Sequence, residues 1–213
     1  DLFHPPQDKT EKMHLRQQFN LPEQAKIFLY VGSLIYRKGL DLLISAFIEV
    51  ANDQIECFLW LVGPQNKQEN PSLDETYIQN LKLAIQKTGL ELNVRFEGMI
   101  KDRKKLAEAY RAADLFVFPS RKEGLPNVVV EAMASGLTVV ISDLPGLKNV
   151  IRDGDNGLIV PMEDVPALAA AIDKVIKNPV LRVKLSRQAR VDVLEHHGFQ
   201  AWQSEIAVFY KKL

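Results

Sequence analysis

Residues 26–52 read KIFLYVGSLIYRKGLDLLISAFIEVAN. The stretch opens with a short apolar run rich in strand-favouring side chains and closes it at Gly32. Beyond a polar loop, Leu40, Leu43, Ile44, Phe47 and Ile48 recur at helical spacing. The stretch therefore predicts strand, loop, helix. The same alternation extends outward, with strands expected over 57–64, 94–98, 115–120, 137–142 and 157–161. Helices are expected between them over 73–89, where Gly89 suits a left-handed cap, and over 103–113 and 127–136. From Val165 the pattern is helical only, over 166–178, 179–197 and a final segment to Leu213. Near-continuous apolar strands alternating with amphipathic helices imply an α/β fold, a doubly wound parallel sheet covered on both faces. Ligands of such sheets bind outside the carboxyl ends of the strands, which directs attention to the loops starting at Gly32, Gly63, Gly98, Pro119 and Ser142.

Composition bounds the function. The 213 residues suffice for one sizeable core, and 27 basic residues balance 27 acidic ones without forming blocks. That balance argues against nucleic acid or a polybasic membrane surface as partner and favours a small molecule. Cys57 is the only cysteine, so no internal disulfide can form, and a cytoplasmic location is expected. No apolar run reaches the roughly 20 residues of a membrane span. The opening DLFHPPQDK lacks an initiator Met and has the Pro-rich look of a connecting segment, so the chain is expected to be part of a longer protein.

The loop at Pro119 carries RKEGLPNVVVEAMASG, residues 121–136, with Glu123 and Glu131 eight positions apart. Pro126 suits the first turn of a helix, and Leu125 before it is pushed to an extended conformation. The amides of Asn127, Val128 and Val129 would then point out of the positive end of the helix dipole, beside a Gly124 that permits close approach. Together they make an anion site suited to phosphate. Even on one continuous helix the two glutamates would lie roughly 12 Å apart axially, so they form no acid/base dyad. They are placed to grip hydroxyls on either side of a bound phosphate. The ordinary structural account, in which Glu131 complements the dipole and Glu123 is solvated, is weakened by GSLIYRKG at residues 32–39. That loop brings Arg37 and Lys38, the cation pair that a diphosphate needs when water is displaced.

With VGSLIYRKGLDLLISAF, FEGMI, AADLFVFPSRKEGLPNVVVEAMASGLTVV and VIRDGDNGLIVP in order, the chain from Lys26 onward resembles the C-terminal, donor-binding domain of the retaining GT-B glycosyltransferases of family 4. The resemblance implies a Rossmann-like fold, the C-terminal half of a GT-B architecture, with extra C-terminal helices. It divides the chain into a linker and N-terminal helix (1–25), a nucleotide-sugar donor domain (26–195) and a C-terminal helix (196–213), with an N-terminal acceptor domain outside this chain. It implies that Glu123 contacts the transferred sugar, that Glu131 binds the ribose hydroxyls and that Lys38 holds the donor diphosphate. The backbone around Gly98, Met99 and Ile100 would lie against the base, and Gly32, Ser33, Arg37 and the segment Gly124, Leu125, Pro126, Asn127 and Val128 would complete the donor site. Glu123 and Lys38 are the catalytic candidates.

Two positions depart from the family pattern: Ser33 stands where many members have Arg, and Asn149 where Glu is common. The resemblance implies no metal and no cofactor beyond the nucleotide-sugar substrate, with UDP favoured by family frequency and GDP and ADP open. The acceptor, a glycan, lipid or small molecule, and any peripheral contact with the inner membrane face would belong to the full-length enzyme through its other domain. The isolated chain is expected to bind donor and transfer poorly or not at all. His4, His14, His196 and His197 fall outside the predicted loops and read as structural. Trp202, Phe209 and Tyr210, at helical spacing, read as ordinary core. Rival readings are a nucleotide-sugar epimerase of GT-B architecture and a non-catalytic nucleotide-sugar binding module. A plain dinucleotide-binding domain is disfavoured because VGSLIYRKG lacks GxGxxG.

Overall fold

A computed structural model describes residues 2–51 and 56–196. Six parallel strands, β1 (Lys26–Val31), β2 (Cys57–Val62), β3 (Val94–Gly98), β4 (Leu115–Phe118), β5 (Thr138–Ser142) and β6 (Leu158–Val160), form one sheet in the order β3-β2-β1-β4-β5-β6. Every expected strand is present, trimmed where the chemistry of the backbone requires it. The segment 115–120 stops at Phe118 because Pro119 has no N–H to give the ladder, and 57–64 stops at Val62, ahead of Gly63 and Pro64. All residues of β2, β4 and β5 are buried, as two-sided coverage demands, whereas the edge strand β3 is only half-buried.

Among the described residues seven α-helices cover the sheet: α1 (Lys9–Gln18), α2 (Leu40–Ala51), α3 (Glu75–Gln86), α4 (Arg103–Ala112), α5 (Asn127–Ala134), α6 (Val165–Lys177) and α7 (Pro179–His196). Asp8, Asp74, Asp102 and Asp164 cap α1, α3, α4 and α6 by accepting first-turn amides. Helices α2, α3 and α6 pack together, as do α1, α4, α5 and α7, and α6 also meets α7. The usual right-handed crossover places α2 and α3 on one face of the sheet and α4 and α5 on the other. Helix α1 is tied in from below: Leu15 enters the core, and the buried Arg16 donates to the carbonyls of Ala112, Glu23 and Ala25 and to Asp114. The expected final helix with Trp202, Phe209 and Tyr210 lies outside the described residues.

The order of the sheet reverses between β1 and β4, so the chain leaves these neighbouring strands toward opposite faces and opens a crevice at their carboxyl ends. Two glycines let the backbone close around the β4 loop there. A Cβ on Gly39, whose φ is +71°, would lie 2.0 Å from the Pro119 carbonyl oxygen, and one on Gly146 would lie 1.9 Å from that of Gly124. Only glycine tolerates either approach.

Candidate functional site

Because β4 ends at Pro119, the next residues fold back over the loop that follows β1. The Arg121 amide donates to the Arg37 carbonyl at 2.8 Å, which fixes the two loops side by side. Glu123 then faces a converging set of donors. Its Oε1 lies 2.6 Å from Lys38 Nζ, 3.2 Å from an Arg37 guanidinium nitrogen and 2.9 Å from Ser120 Oγ. Ser120 Oγ also lies 3.1 Å from the Arg37 carbonyl, and its single proton serves one of the two acceptors at a time. All three donors use the same oxygen, so among the described residues Oε2 of Glu123 accepts from no protein group. Beneath them the Lys38 ammonium sits 5.2 Å above the Phe118 ring, which stacks with Tyr30. The Tyr30 hydroxyl, driven well above its ordinary pKa by burial and then by Glu123, stays protonated and donates to the Ser33 carbonyl at 3.0 Å. Tyr30 and Phe118 thus link the Glu123 cluster to the β1 loop.

Arg121, which sequence reasoning did not single out, holds this arrangement in place. It grips Asp41 with two bonds of 2.8 and 2.7 Å, pairs with Glu163 at 2.5 Å, donates to the Tyr36 carbonyl and stacks 3.9 Å from the centre of the Tyr36 ring. Burial pushes the Asp41 carboxyl up, but hydrogen bonds from Arg121 and Tyr77 outweigh it and hold the group below the usual carboxylate range. Asp41 therefore stays ionised as the anchor of the Arg37–Lys38 turn. A lone Arg in a polar loop offers no pattern by which a sequence could have announced this role.

Glu131 is the second carboxylate, in the second turn of α5. Its Oε2 accepts from the Tyr110 hydroxyl at 3.2 Å and its Oε1 from Arg103 at 3.1 Å. Helix α5 starts at Asn127, where the expected 127–136 helix begins, with Pro126 as its cap rather than inside its first turn. The Val129 amide is not available to a ligand: it donates to the Pro126 carbonyl at 3.0 Å, the tight bond common in a first helical turn. The amides of Asn127 and Val128 keep no protein acceptor among the described residues.

A cleft of about 290 Å³ lies alongside, and its walls include Gly32, Ser33, Met99 and Ile100. Four expected site residues from two separate loops thus share one cavity, and Gly98 ends the strand that leads into it with φ +85°. Asn70 also lines the cleft and donates to Ser33 Oγ at 3.3 Å; nothing in its polar loop had marked it. Arg37 bonds Glu123 and the Lys122 carbonyl, and no contact joins it to Ser33 among the described residues. Leu125 points to solvent, half exposed, and Asn149 is exposed. His4 lies against Arg111 and His14 against Gln18, both apart from these loops. Among the described residues no group of three His, Cys, Asp or Glu side chains could hold a metal, and no helix is long and apolar enough to cross a membrane.

With this geometry in hand, comparison with known proteins is decisive at the family level: the profile of the glycosyl transferases group 1 family matches residues 11–192. The chain belongs to the glycosyl transferases group 1 family. Mannosylfructose-phosphate synthase of Agrobacterium fabrum is 37% identical over 186 residues, which cover 87% of this chain and 39% of that protein. Among solved structures, sucrose-phosphate synthase from Thermosynechococcus elongatus superposes with a TM-score of 0.83 at 32% identity over 99% of this chain and 49% of that one. The C-terminal domain of a glycosyl transferase group 1 family protein from Francisella tularensis shares the fold, with a TM-score of 0.82 at 24% identity, covering 93% of this chain and 97% of that one. The chain spans about half the length, or less, of the curated relatives it matches. Within the group 1 family fold, the Glu123 cluster occupies the crevice where the sheet order reverses, and the cleft lies beside it at the ends of β1, β2 and β3.

Proposed function

We propose that this chain is the donor-binding half of a retaining glycosyltransferase of family 4, and that it holds a nucleoside diphosphate sugar, with UDP the favoured nucleotide. The observation that carries the reading is the contact between Lys38 and Glu123, 2.6 Å, at the sheet's reversal point, with one oxygen of Glu123 left open. A cation, two free amides and an open carboxylate acceptor in one crevice match a ligand that is both anionic and rich in hydroxyls.

In this reading Lys38, Arg37 and the amides of Asn127 and Val128 take the diphosphate, with no metal or further cofactor. Glu131 accepts the ribose hydroxyls, and the base lies in the cleft beside Met99 and Ile100. The open Oε2 of Glu123 accepts a hydroxyl of the sugar. The acceptor hydroxyl, presented by a facing domain of the longer protein, attacks the anomeric carbon on the face the diphosphate leaves. The bond from that carbon to the phosphate oxygen breaks, the acceptor proton passes to a phosphate oxygen, and Lys38 and the amides stabilise the growing negative charge. The fragment alone would bind donor and transfer slowly or not at all. An epimerase is not favoured by membership of a glycosyl transferase family. The cytoplasm supplies such donors, and any membrane contact would be made by the facing domain.

Calorimetric titration with UDP, GDP and ADP tests the reading. Saturable binding of one nucleotide, weakened about tenfold or more by Lys38→Ala and by Glu131→Ala, supports it. Binding that ignores both substitutions would place the nucleotide elsewhere and overturn it.

A further inference from the structure

At the other end of the sheet, where β4 and β5 begin, a cavity of about 190 Å³ lies among α1, the ends of α4 and α5 and the first turns of α7. Lys12, Arg111, Asp114, Ser135 and Arg182 line it. The charge there does not balance. Asp114 takes Lys12 at 2.6 Å and Arg16 at 2.5 Å, and Glu11 lies 3.1 Å from Arg111 Nε. No carboxylate among the described residues pairs with Arg182, so four cations meet two carboxylates.

Hydrogen bonding is unbalanced in the same sense. The Ser135 hydroxyl, on a residue only 1% exposed, and a terminal nitrogen of Arg182 are buried without a partner. The carbonyls that close α5 are engaged elsewhere: those of Glu131, Ala132, Met133 and Ala134 accept from Ser135 N, Leu137 N, Gly136 N and Arg190. The Ser135 hydroxyl and Arg182 thus offer two buried donors that no protein acceptor among the described residues meets, although Asp114 shares the lining. Burial pulls the Lys12 ammonium below its ordinary pKa although Asp114 opposes the shift, and Arg16 and Arg182 add smaller contributions in the same direction as burial. Water could fill a space several times its own share of about 30 Å³ and satisfy the hydroxyl, but it would leave the charge uncompensated.

We propose that this cavity is a second ligand site, which binds a dianionic phosphoryl group through the Ser135 hydroxyl, the Arg182 guanidinium and the Lys12 ammonium. The group is either inorganic phosphate or the head of a small phosphomonoester, and the site is independent of the Glu123 cluster at the opposite end of β4.

The test is calorimetric titration of inorganic phosphate and, separately, glycerol phosphate into the Lys38→Ala chain, where the other anion-binding loop is weakened. Saturable binding is expected, weakened about tenfold or more when Arg182→Gln or Ser135→Ala is added. The tighter of the two probes identifies the source of the phosphoryl group. Arg182 has no carboxylate partner, so thermal melts without phosphate should not move; if Arg182→Gln fails to fold, Ser135→Ala decides alone. Absence of saturable binding for both probes, or binding that these substitutions leave unchanged, overturns the proposal and leaves the cavity to water.

Discussion

Asp114 and Glu123 flank the same strand, one before β4 and one beyond its end, and each sits between two cations. Asp114 meets Lys12 and Arg16 at 2.6 and 2.5 Å; Glu123 meets Lys38 and Arg37 at 2.6 and 3.2 Å. The difference lies in what remains unused. Asp114 commits both oxygens, Oδ1 to Lys12 and Oδ2 to Arg16 and to the Ile27 amide, and so stitches α1 to the first strand. Glu123 gathers its donors on one oxygen and keeps the other open, while Arg37 remains about half exposed. A carboxylate with both oxygens committed can only hold its cations in place, whereas one with a free oxygen can also accept from a ligand.

Removing each carboxylate should separate the two. Asp114→Ala leaves Arg16 buried beside Lys12 with no counter-charge and orphans the Ile27 amide, so a loss of about 3–5 kcal/mol is expected in urea unfolding. Glu123→Ala, which frees a half-exposed Arg37 and a shielded Lys38 but orphans no backbone amide, should cost less, about 1–3 kcal/mol; equal losses would erase the distinction. The acid limb of stability supplies a second reading. Burial pushes the Asp114 carboxyl up, but Lys12 and Arg16 outweigh it and hold the group below its ordinary range. The fold therefore binds the ionised form. That contribution is complete above the unfolded carboxyl pKa of about 3.9 and is lost as the pH falls through the lower folded value. Asp114→Ala should flatten this slope, and an unchanged acid limb would count against the assignment.

On the other side of the comparison, Lys38→Ala in the full-length protein should lower sugar transfer by about 10²–10³-fold, the usual size of losing one group that stabilises developing charge. Glu123→Gln should lower transfer too, yet leave nucleotide binding intact or tighter, because Lys38 no longer has a competing carboxylate. Parallel loss of nucleotide binding in both variants would mean that Glu123 acts only by holding Lys38.

The strands were legible because a parallel sheet buried on both faces leaves a continuous apolar run with little polar interruption, and Lys26–Val31 and Cys57–Val62 are such runs. The Glu123 loop was legible because glycine, proline and charge cluster there against that background. What escaped was whatever depends on distant residues meeting. Arg121 and Asp41 are 80 positions apart, and neither belongs to a local pattern that names the other. Asn156 is a similar case: it sits within VIRDGDNGLIVP, one of the stretches behind the family resemblance, but it is fully buried and bonds Asp192, Val150 and the Arg152 amide. Its part is to moor α7 to the turn before β6. The availability of the Val129 amide was also beyond the sequence, since a single tight bond at the helix start decides it.

Gly146→Ala tests whether the open cluster depends on its backing. The added methyl would collide with the Gly124 carbonyl and force the β4 loop away from the 3-10 turn at Pro145–Leu147. A loss of about 1–3 kcal/mol is expected, as for other overpacked positions. Nucleotide affinity should fall with it, because the displaced loop carries Glu123 and leads into the amides of Asn127 and Val128. Unaltered affinity would show that the loop reaches its position without this contact.

The smallest effect is expected at Arg103, and its sign carries the information. Glu131 is well shielded, but its partner is 65% exposed, so the pair itself is worth about 1 kcal/mol or less. If Glu131 accepts ribose hydroxyls, Arg103 competes for the same oxygen, Oε1, while the Tyr110 hydroxyl keeps Oε2 in place. Burial, and after it Glu131, drives the Tyr110 pKa well up, so that donor persists over the working pH range. Arg103→Ala should then tighten nucleotide binding by about two- to fivefold with stability nearly unchanged. A weakening of the same size would make Arg103 a contact to the ligand's own charge, which moves the phosphates toward α4 and away from Lys38.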